Sequence, residues 1–361
     1  MINRKVQKAR YICNSVKNMS KSEFRETIKD IIGREQRELL LRKISELPLT
    51  IKGTRLEAYV LQLYQELERA GIAFKPKTYL TDGWGCPNRV PMIGIPFYLA
   101  DPKLCSLQGQ LTGIEVEDDA EVMMMYLRHE AGHAFNYAYH FYRKPEWRQL
   151  FGLFSQTYKD DYKQVPFSIR FVRYTPGWYA QKHPDDDFAE TFAVWLKPNS
   201  EWRKQYIDTP ALAKLLYVDQ MARKYGRQSP VITDGKLDMP VQEMTMTMGK
   251  WFEKCRDTSH INLSLHRALN NDLRNLFPAD KGQLAADVLQ AHRKQLIREV
   301  NRWTGMNHKI LSALIDELLK RAQFLELKIE PEQTAAQMVS TSVFVTTLVM
   351  NYFCRGQFVD I

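Results

Sequence analysis

Leu127-Arg128-His129-Glu130-Ala131-Gly132-His133 is the stretch on which the rest of the chain turns. It holds the pattern H-E-x-x-H. On an α-helix, residues four apart share a face and lie about 6 Å apart along the axis. The imidazoles of His129 and His133 can therefore converge on one metal ion, at the ~2.0–2.1 Å that zinc requires. Glu130 stands one step round the helix from His129. Its carboxylate falls beside such an ion without binding it, where it can take a proton from zinc-bound water. The preceding residues, Val122-Met-Met-Met-Tyr-Leu127, are apolar on every side, so this helix is expected to be buried. A buried helix with two histidines and a glutamate needs partners for them, and a metal site provides them. The competing reading is a helix that carries two unrelated histidines.

Working outward, the third ligand must come from elsewhere. The extended pattern H-E-x-x-H-x-x-G-x-x-H fails, because Asn136 and Tyr139 occupy its Gly and His places. His140 is two turns from His133, too far along the axis to share an ion, and is read as structural. The stretch His183-Pro-Asp-Asp-Asp-Phe-Ala-Glu-Thr-Phe-Ala-Val-Trp-Leu is a better source. A helix opening near Pro184 puts Asp186 and Glu190 on one face at i, i+4 spacing. Asp186 is assigned as the metal ligand. Glu190 is assigned as a carboxylate that hydrogen-bonds a ligand histidine and fixes its tautomer, with the exchange of these two roles left open. Asp185 and Asp187 read as helix N-terminal charges favoured by the dipole. Attack on a carbonyl creates an oxyanion that needs a donor. Tyr179 is the first choice and His183 the second, against the alternative that Tyr179 is simply a packed tyrosine.

The surroundings read as a mixed α+β domain. Thr54–Ala70 has helical apolar spacing and ends at Gly71. Ile72–Leu80 reads as a strand interrupted by Pro76, and Asp82–Asn88 as a loop by its turn residues. Val90–Leu99, with Pro91 and Pro96, suits an edge strand, with Leu111–Glu117 as its partner. Asp118 is the expected N-cap of a helix from about Asp119 to Tyr142. Phe151–Pro176 looks irregular, and 210–225 forms another helix. The Pro-, Gly- and Ser-rich residues 226–246 read as a linker. Residues 247–361 read as a helical extension, strongly amphipathic over Leu284–Leu327. The expected organisation is thus a basic helical segment 1–46, a domain 47–225, the linker, and the extension.

The chain has 361 residues with 44% hydrophobic and 26% charged residues, which indicates a packed core. Net charge is +9, and residues 1–43 carry twelve Lys/Arg against five Asp/Glu. No Arg-Gly-rich or basic-aromatic motif accompanies them, so a solvated helical face is favoured over nucleic-acid binding. Five widely spaced cysteines without a C-x-x-C pair argue against a disulfide framework and for reduced thiols in a cytoplasm. The N-terminus has no signal-peptide pattern. Met338–Met350 is apolar but interrupted by Ser and Thr, and is expected to be a buried helix or strand rather than a membrane span.

Several blocks between Leu47 and about Lys224 resemble the zinc-binding metallopeptidase family of bacteria. They are Ile51-Lys-Gly-Thr-Arg-Leu-Glu, Val90-Pro-Met-Ile-Gly-Ile-Pro-Phe-Tyr-Leu-Ala, Arg128-His-Glu-Ala-Gly-His-Ala, Trp178-Tyr-Ala-Gln-Lys-His-Pro and Asp186-Asp-Phe-Ala-Glu-Thr-Phe-Ala-Val-Trp-Leu. The resemblance implies a zincin-like core, a small mixed β-sheet over the H-E-x-x-H helix, with a gluzincin arrangement of ligands. The expected cofactor, from the H-E-x-x-H spacing, is Zn²⁺, and the expected substrate of such a site is a peptide or protein. The third ligand of that arrangement is usually Glu. Here the position holds Asp186, one methylene shorter, so either the second helix sits closer or Glu190 coordinates instead. The alternative function is a non-catalytic, zinc-containing protein-interaction module.

Overall fold

The computed structural model describes residues 34–112, 119–158, 162, 164–256 and 269–359. Most of the basic segment 1–46, the expected N-cap Asp118 and most of the expected strand Leu111–Glu117 lie outside these residues. The chain is mixed α and β, mostly helical, and divides into two compact units, Met1–Cys255 and Arg256–Ile361.

In the first unit, helix α1 (Arg34–Leu41) precedes α2 (Arg55–Arg69). Thr54 caps α2, its hydroxyl accepting from the Leu56 N–H at 3.2 Å. The helix buries Leu56, Val60, Leu63 and Leu67 along one stripe, and Gly71 ends it at φ 82, in the left-handed region that favours glycine. Strands β1 (Lys77–Thr81) and β2 (Met92–Pro96) then pair in parallel, in a register from Lys77 opposite Met92 to Thr81 opposite Pro96. Next come α3 (Pro102–Thr112), α4 (Ala120–Ala138), α5 (Pro145–Phe151), α6 (Pro184–Leu196), α7 (Trp202–Gln205), α8 (Pro210–Tyr225) and α9 (Met248–Arg256).

Two expectations need correction here, and one needs refinement. Leu111 and Thr112 close a helix rather than opening a strand. Strand β2 is an edge strand, as expected, since the sheet has only β1 and β2, but its outer side is covered: all five residues are buried, and a single bridge joins it to the 82–88 loop, the Gly94 N–H donating to the Gly85 carbonyl at 2.7 Å. Residues 226–246 are not a detached linker. Val231 N–H donates to the Ala138 carbonyl, Lys77 pairs with Asp234 at 2.5 Å, and the Thr81 hydroxyl donates to the Met239 carbonyl, so this segment is laid along the first unit and the division falls at Cys255.

Helix α4 sits at the centre. The Asp119 carboxylate caps it, accepting from the Val122 N–H at 3.0 Å. It ends at Ala138, short of Tyr142, because His140 turns into the left-handed region at φ 54. Helix α6 crosses it at Gly132. A Cβ there would stand 2.7 Å from the Ala189 Cα, so only glycine permits this approach.

The second unit contains α10 (Asn270–Leu276), α11 (Ala285–Thr304), α12 (His308–Phe324) and α13 (Thr334–Arg355). A two-residue antiparallel pair, β3 (Gln283–Leu284) with β4 (Lys328–Ile329), closes it. Gly305, at φ 72, turns the chain between α11 and α12, whose apolar stripes supply Leu289, Leu296, Ile297, Leu311, Leu314 and Leu318 to its core. Met338–Met350 lies within α13. Among the described residues no helix is long and apolar enough to cross a membrane, and the four described cysteines form no disulfide.

Candidate metal centre

His129, Glu130, His133, Asp185, Asp186 and Glu190 are all more than nine-tenths buried between α4 and α6. Three of them form a group that can hold a metal ion: His129, His133 and Asp186. The two Nε2 atoms are 3.1 Å apart, and Asp186 Oδ1 lies 3.7 Å from His129 Nε2 and 3.5 Å from His133 Nε2. A point equidistant from these three atoms lies about 2.0 Å from each, which is the bond length of zinc to imidazole nitrogen or carboxylate oxygen. The close crossing at Gly132 suits the shorter Asp side chain: the second helix sits near enough that no longer carboxylate is needed.

The other ring nitrogens are held from behind. His129 Nδ1 is 2.7 Å from Glu190 Oε1, and Glu190 Oε2 accepts from the Thr175 N–H at 2.8 Å. Both Glu190 oxygens are therefore engaged away from the convergence point. His133 Nδ1 is 2.8 Å from Asp185 Oδ2, which the Tyr137 hydroxyl also approaches, while Asn136 Nδ2 donates to Asp185 Oδ1 at 2.8 Å. These carboxylates fix each imidazole with Nε2 forward and raise its basicity. Asp186 Oδ2 accepts from the Tyr158 hydroxyl, leaving Oδ1 toward the histidines.

The neighbouring carboxylates set the electrostatics of the two histidines. Burial alone would depress the His129 pKa, but Asp186 and Glu190 outweigh it and push it up to about 9. His133 is raised well above the usual range in the same way, burial being overcome chiefly by Asp185. Asp186 is held below the usual carboxylate range by the two histidines, against the opposing effect of its burial. Burial raises Glu130, with the histidines opposing. Glu130 Oε2 is buried with no hydrogen-bond partner among the described residues. Among the described residues it shares this state with Asp187 Oδ1, but Glu130, unlike Asp187, is flanked by both histidines and Asp186 and feels their charge.

The remaining predicted residues divide. The Tyr179 ring meets the His129 ring edge-on at 5.5 Å, and burial with Asp186 and Glu130 nearby keeps its hydroxyl protonated. His183 is a helix cap: its Nδ1 accepts from the Asp185 N–H at 3.1 Å and its Nε2 donates to the Gln156 carbonyl at 2.9 Å, so neither ring nitrogen is spare for an oxyanion. Asp185 and Asp187 are more than dipole charges. Asp185 orients His133, and Asp187 is buried against Lys214 Nζ at 2.5 Å, where burial outweighs the lysine and pushes its carboxyl up to about 7. Sequence reasoning missed Asn136, Tyr137 and Tyr158. The first two carry a legible signal, since they follow His133 by three and four residues on the same helical face. Tyr158 carries none, because it comes from an irregular segment. Compared with known proteins, the chain stands by itself: no family model, no curated protein and no solved structure matches it.

Proposed function

We propose that this chain is a zinc-dependent metallopeptidase with a zincin-like core, hydrolysing peptide bonds at His129, His133 and Asp186. The observation that carries the proposal is the triangle of three forward-facing donor atoms, sized for a ~2.0 Å bond, with the unpartnered carboxylate of Glu130 beside it. Bound there, zinc supplies Lewis acidity, lowering the pKa of water to about 7 and polarising a carbonyl. Glu130 accepts the proton of the attacking water and hands it to the departing amine nitrogen. Its burial suits that exchange, because a raised pKa brings a carboxylate closer to the working pH. Tyr179, protonated and packed against His129, donates to the carbonyl oxygen as charge develops there. Glu190 and Asp185 hold the imidazoles so that both Nε2 atoms stay available.

A structural metal in an interaction module would have four protein ligands and no use for Glu130. Among the described residues three donors converge, not four. The test is digestion of a mixed peptide library by the purified chain. Cleavage that a chelator stops and zinc restores supports the proposal. A zinc-loaded chain that cleaves nothing contradicts it.

A further inference from the structure

A cavity of about 630 Å³ opens on the first unit between the 82–89 loop, the turn after α4, and α5. Its floor is the ring pair Tyr142 and Phe154, 4.4 Å apart. Around it stand Arg89, Arg143 and Arg148, all exposed, and none has a carboxylate partner among the described residues. Three guanidinium groups about one concavity repel one another, and only the aromatic floor is seen to receive them. Arg89 also holds φ 62, a left-handed backbone that a non-glycine residue adopts at some cost. Its guanidinium lies over both floor rings, at 5.7 Å from Tyr142 and 5.5 Å from Phe154.

The cavity lies near the metal centre, with the buried Tyr137 ring between them. The Tyr142 ring is 6.2 Å from Tyr137, and that ring is 6.0 Å from His133, so the floor lies within about 12 Å of a ligand histidine. Cys86, three residues before Arg89, donates its thiol hydrogen to the Glu130 carbonyl at 3.3 Å. An extended peptide rises about 3.3 Å per residue, so three or four residues span the distance.

We propose that Arg89, Arg143 and Arg148 form a subsite for acidic side chains of a peptide substrate, three or four residues from the bond cut; this rests on the metallopeptidase reading. Arginine forks match carboxylates with two parallel hydrogen bonds, and the charges are complementary. Nucleic acid fits less well. The aromatic faces on which a base would stack are covered by Arg89, and Arg143 also lies over Tyr142, at 5.5 Å.

The test uses the full chain carrying Glu130→Gln, loaded with zinc so that peptide is bound but not cut. Two fluorescein-labelled ten-residue peptides are compared by anisotropy. They differ only in Glu against Gln at the positions three and four removed from the central bond on either side. The Glu peptide is expected to bind at least tenfold tighter at low salt. Adding Arg143→Gln with Arg148→Gln abolishes the preference. Adding Arg89→Gly reduces it while relaxing the backbone, so an unchanged or higher thermal midpoint separates loss of the subsite from loss of fold. Equal affinity for the two peptides overturns the subsite, as does arginine-dependent binding of a single-stranded oligonucleotide with no Glu preference. The unsubstituted chain separates the two proposals. Cleavage of both peptides without any Glu preference in binding removes the subsite alone, whereas a Glu preference without cleavage of either removes the hydrolase alone.

Discussion

The two units each bury polar groups between a pair of packed helices, and they do so in opposite ways. In the second unit, Arg293 on α11 reaches Asp316 on α12 through Nε at 2.8 Å and Nη2 at 3.2 Å, with the Ser312 hydroxyl completing the group. Every charge there has its partner within the network, and it fixes how two helices meet. In the first unit, α4 and α6 bury two histidines and five carboxylates; Asp187 is closed by Lys214, but His129, His133 and Asp186 turn one atom each to a common point and Glu130 leaves one oxygen unbonded. A closed buried network is structure. An open one, held from behind by Glu190, Asp185 and Tyr158, is what the proposed metal site requires.

Substitutions can break this contrast. The largest effect is expected at Glu130. Glu130→Gln removes the base but no ligand, so hydrolysis should fall about a thousandfold while metal content stays at the level of the unsubstituted chain. Steady-state rates and metal analysis on one preparation check it. In the second unit, Arg293→Met leaves Asp316 buried without its partner and should cost about 3 kcal/mol, whereas Arg293→Met with Asp316→Leu should recover most of that loss. Chemical denaturation of the full chain reads both.

A smaller effect is expected at Asp185. Asp185→Asn keeps the shape but weakens its hold on His133, so zinc affinity should fall about ten- to a hundredfold, measured by competition with a chelator. The smallest, per unit of change, is the pH dependence. The His129 pKa of about 9 lies above the ordinary 6.5, so near pH 7 the metal-free ring carries a proton that zinc must displace. Affinity should rise about tenfold per pH unit for that proton and level off above pH 9. The same shift stabilises the metal-free fold fully below pH 6.5, and that contribution fades as pH rises through about 9.

Much of the centre was legible from spacing alone. Two histidines four apart, and a later pair of carboxylates four apart, define faces on two helices before any contact is known. The crossing that joins those faces was not legible, although its cause, Gly132, sits inside the motif. Periodicity records which residues share a face and is silent on how closely two faces approach. For the same reason Asp185 was read as a dipole charge: its place beside His133 depends on the crossing. Prolines at 91 and 96 point to an edge strand, which β2 is, but the bridge from Gly85 that covers part of its outer side is a tertiary pairing that no local pattern encodes. Turn-rich composition at 226–246 signalled loop correctly and linker wrongly, since a loop can be laid along a unit as easily as leave it.

The most direct measurement is anomalous diffraction at the zinc edge from crystals of the full chain, with metal quantified in the same preparation. One ion per chain is expected, at about 2.0–2.1 Å from His129 Nε2, His133 Nε2 and Asp186 Oδ1, with no fourth protein side chain bound. A chain that takes up no ion, or one whose ion is closed off by a fourth side chain, would contradict it.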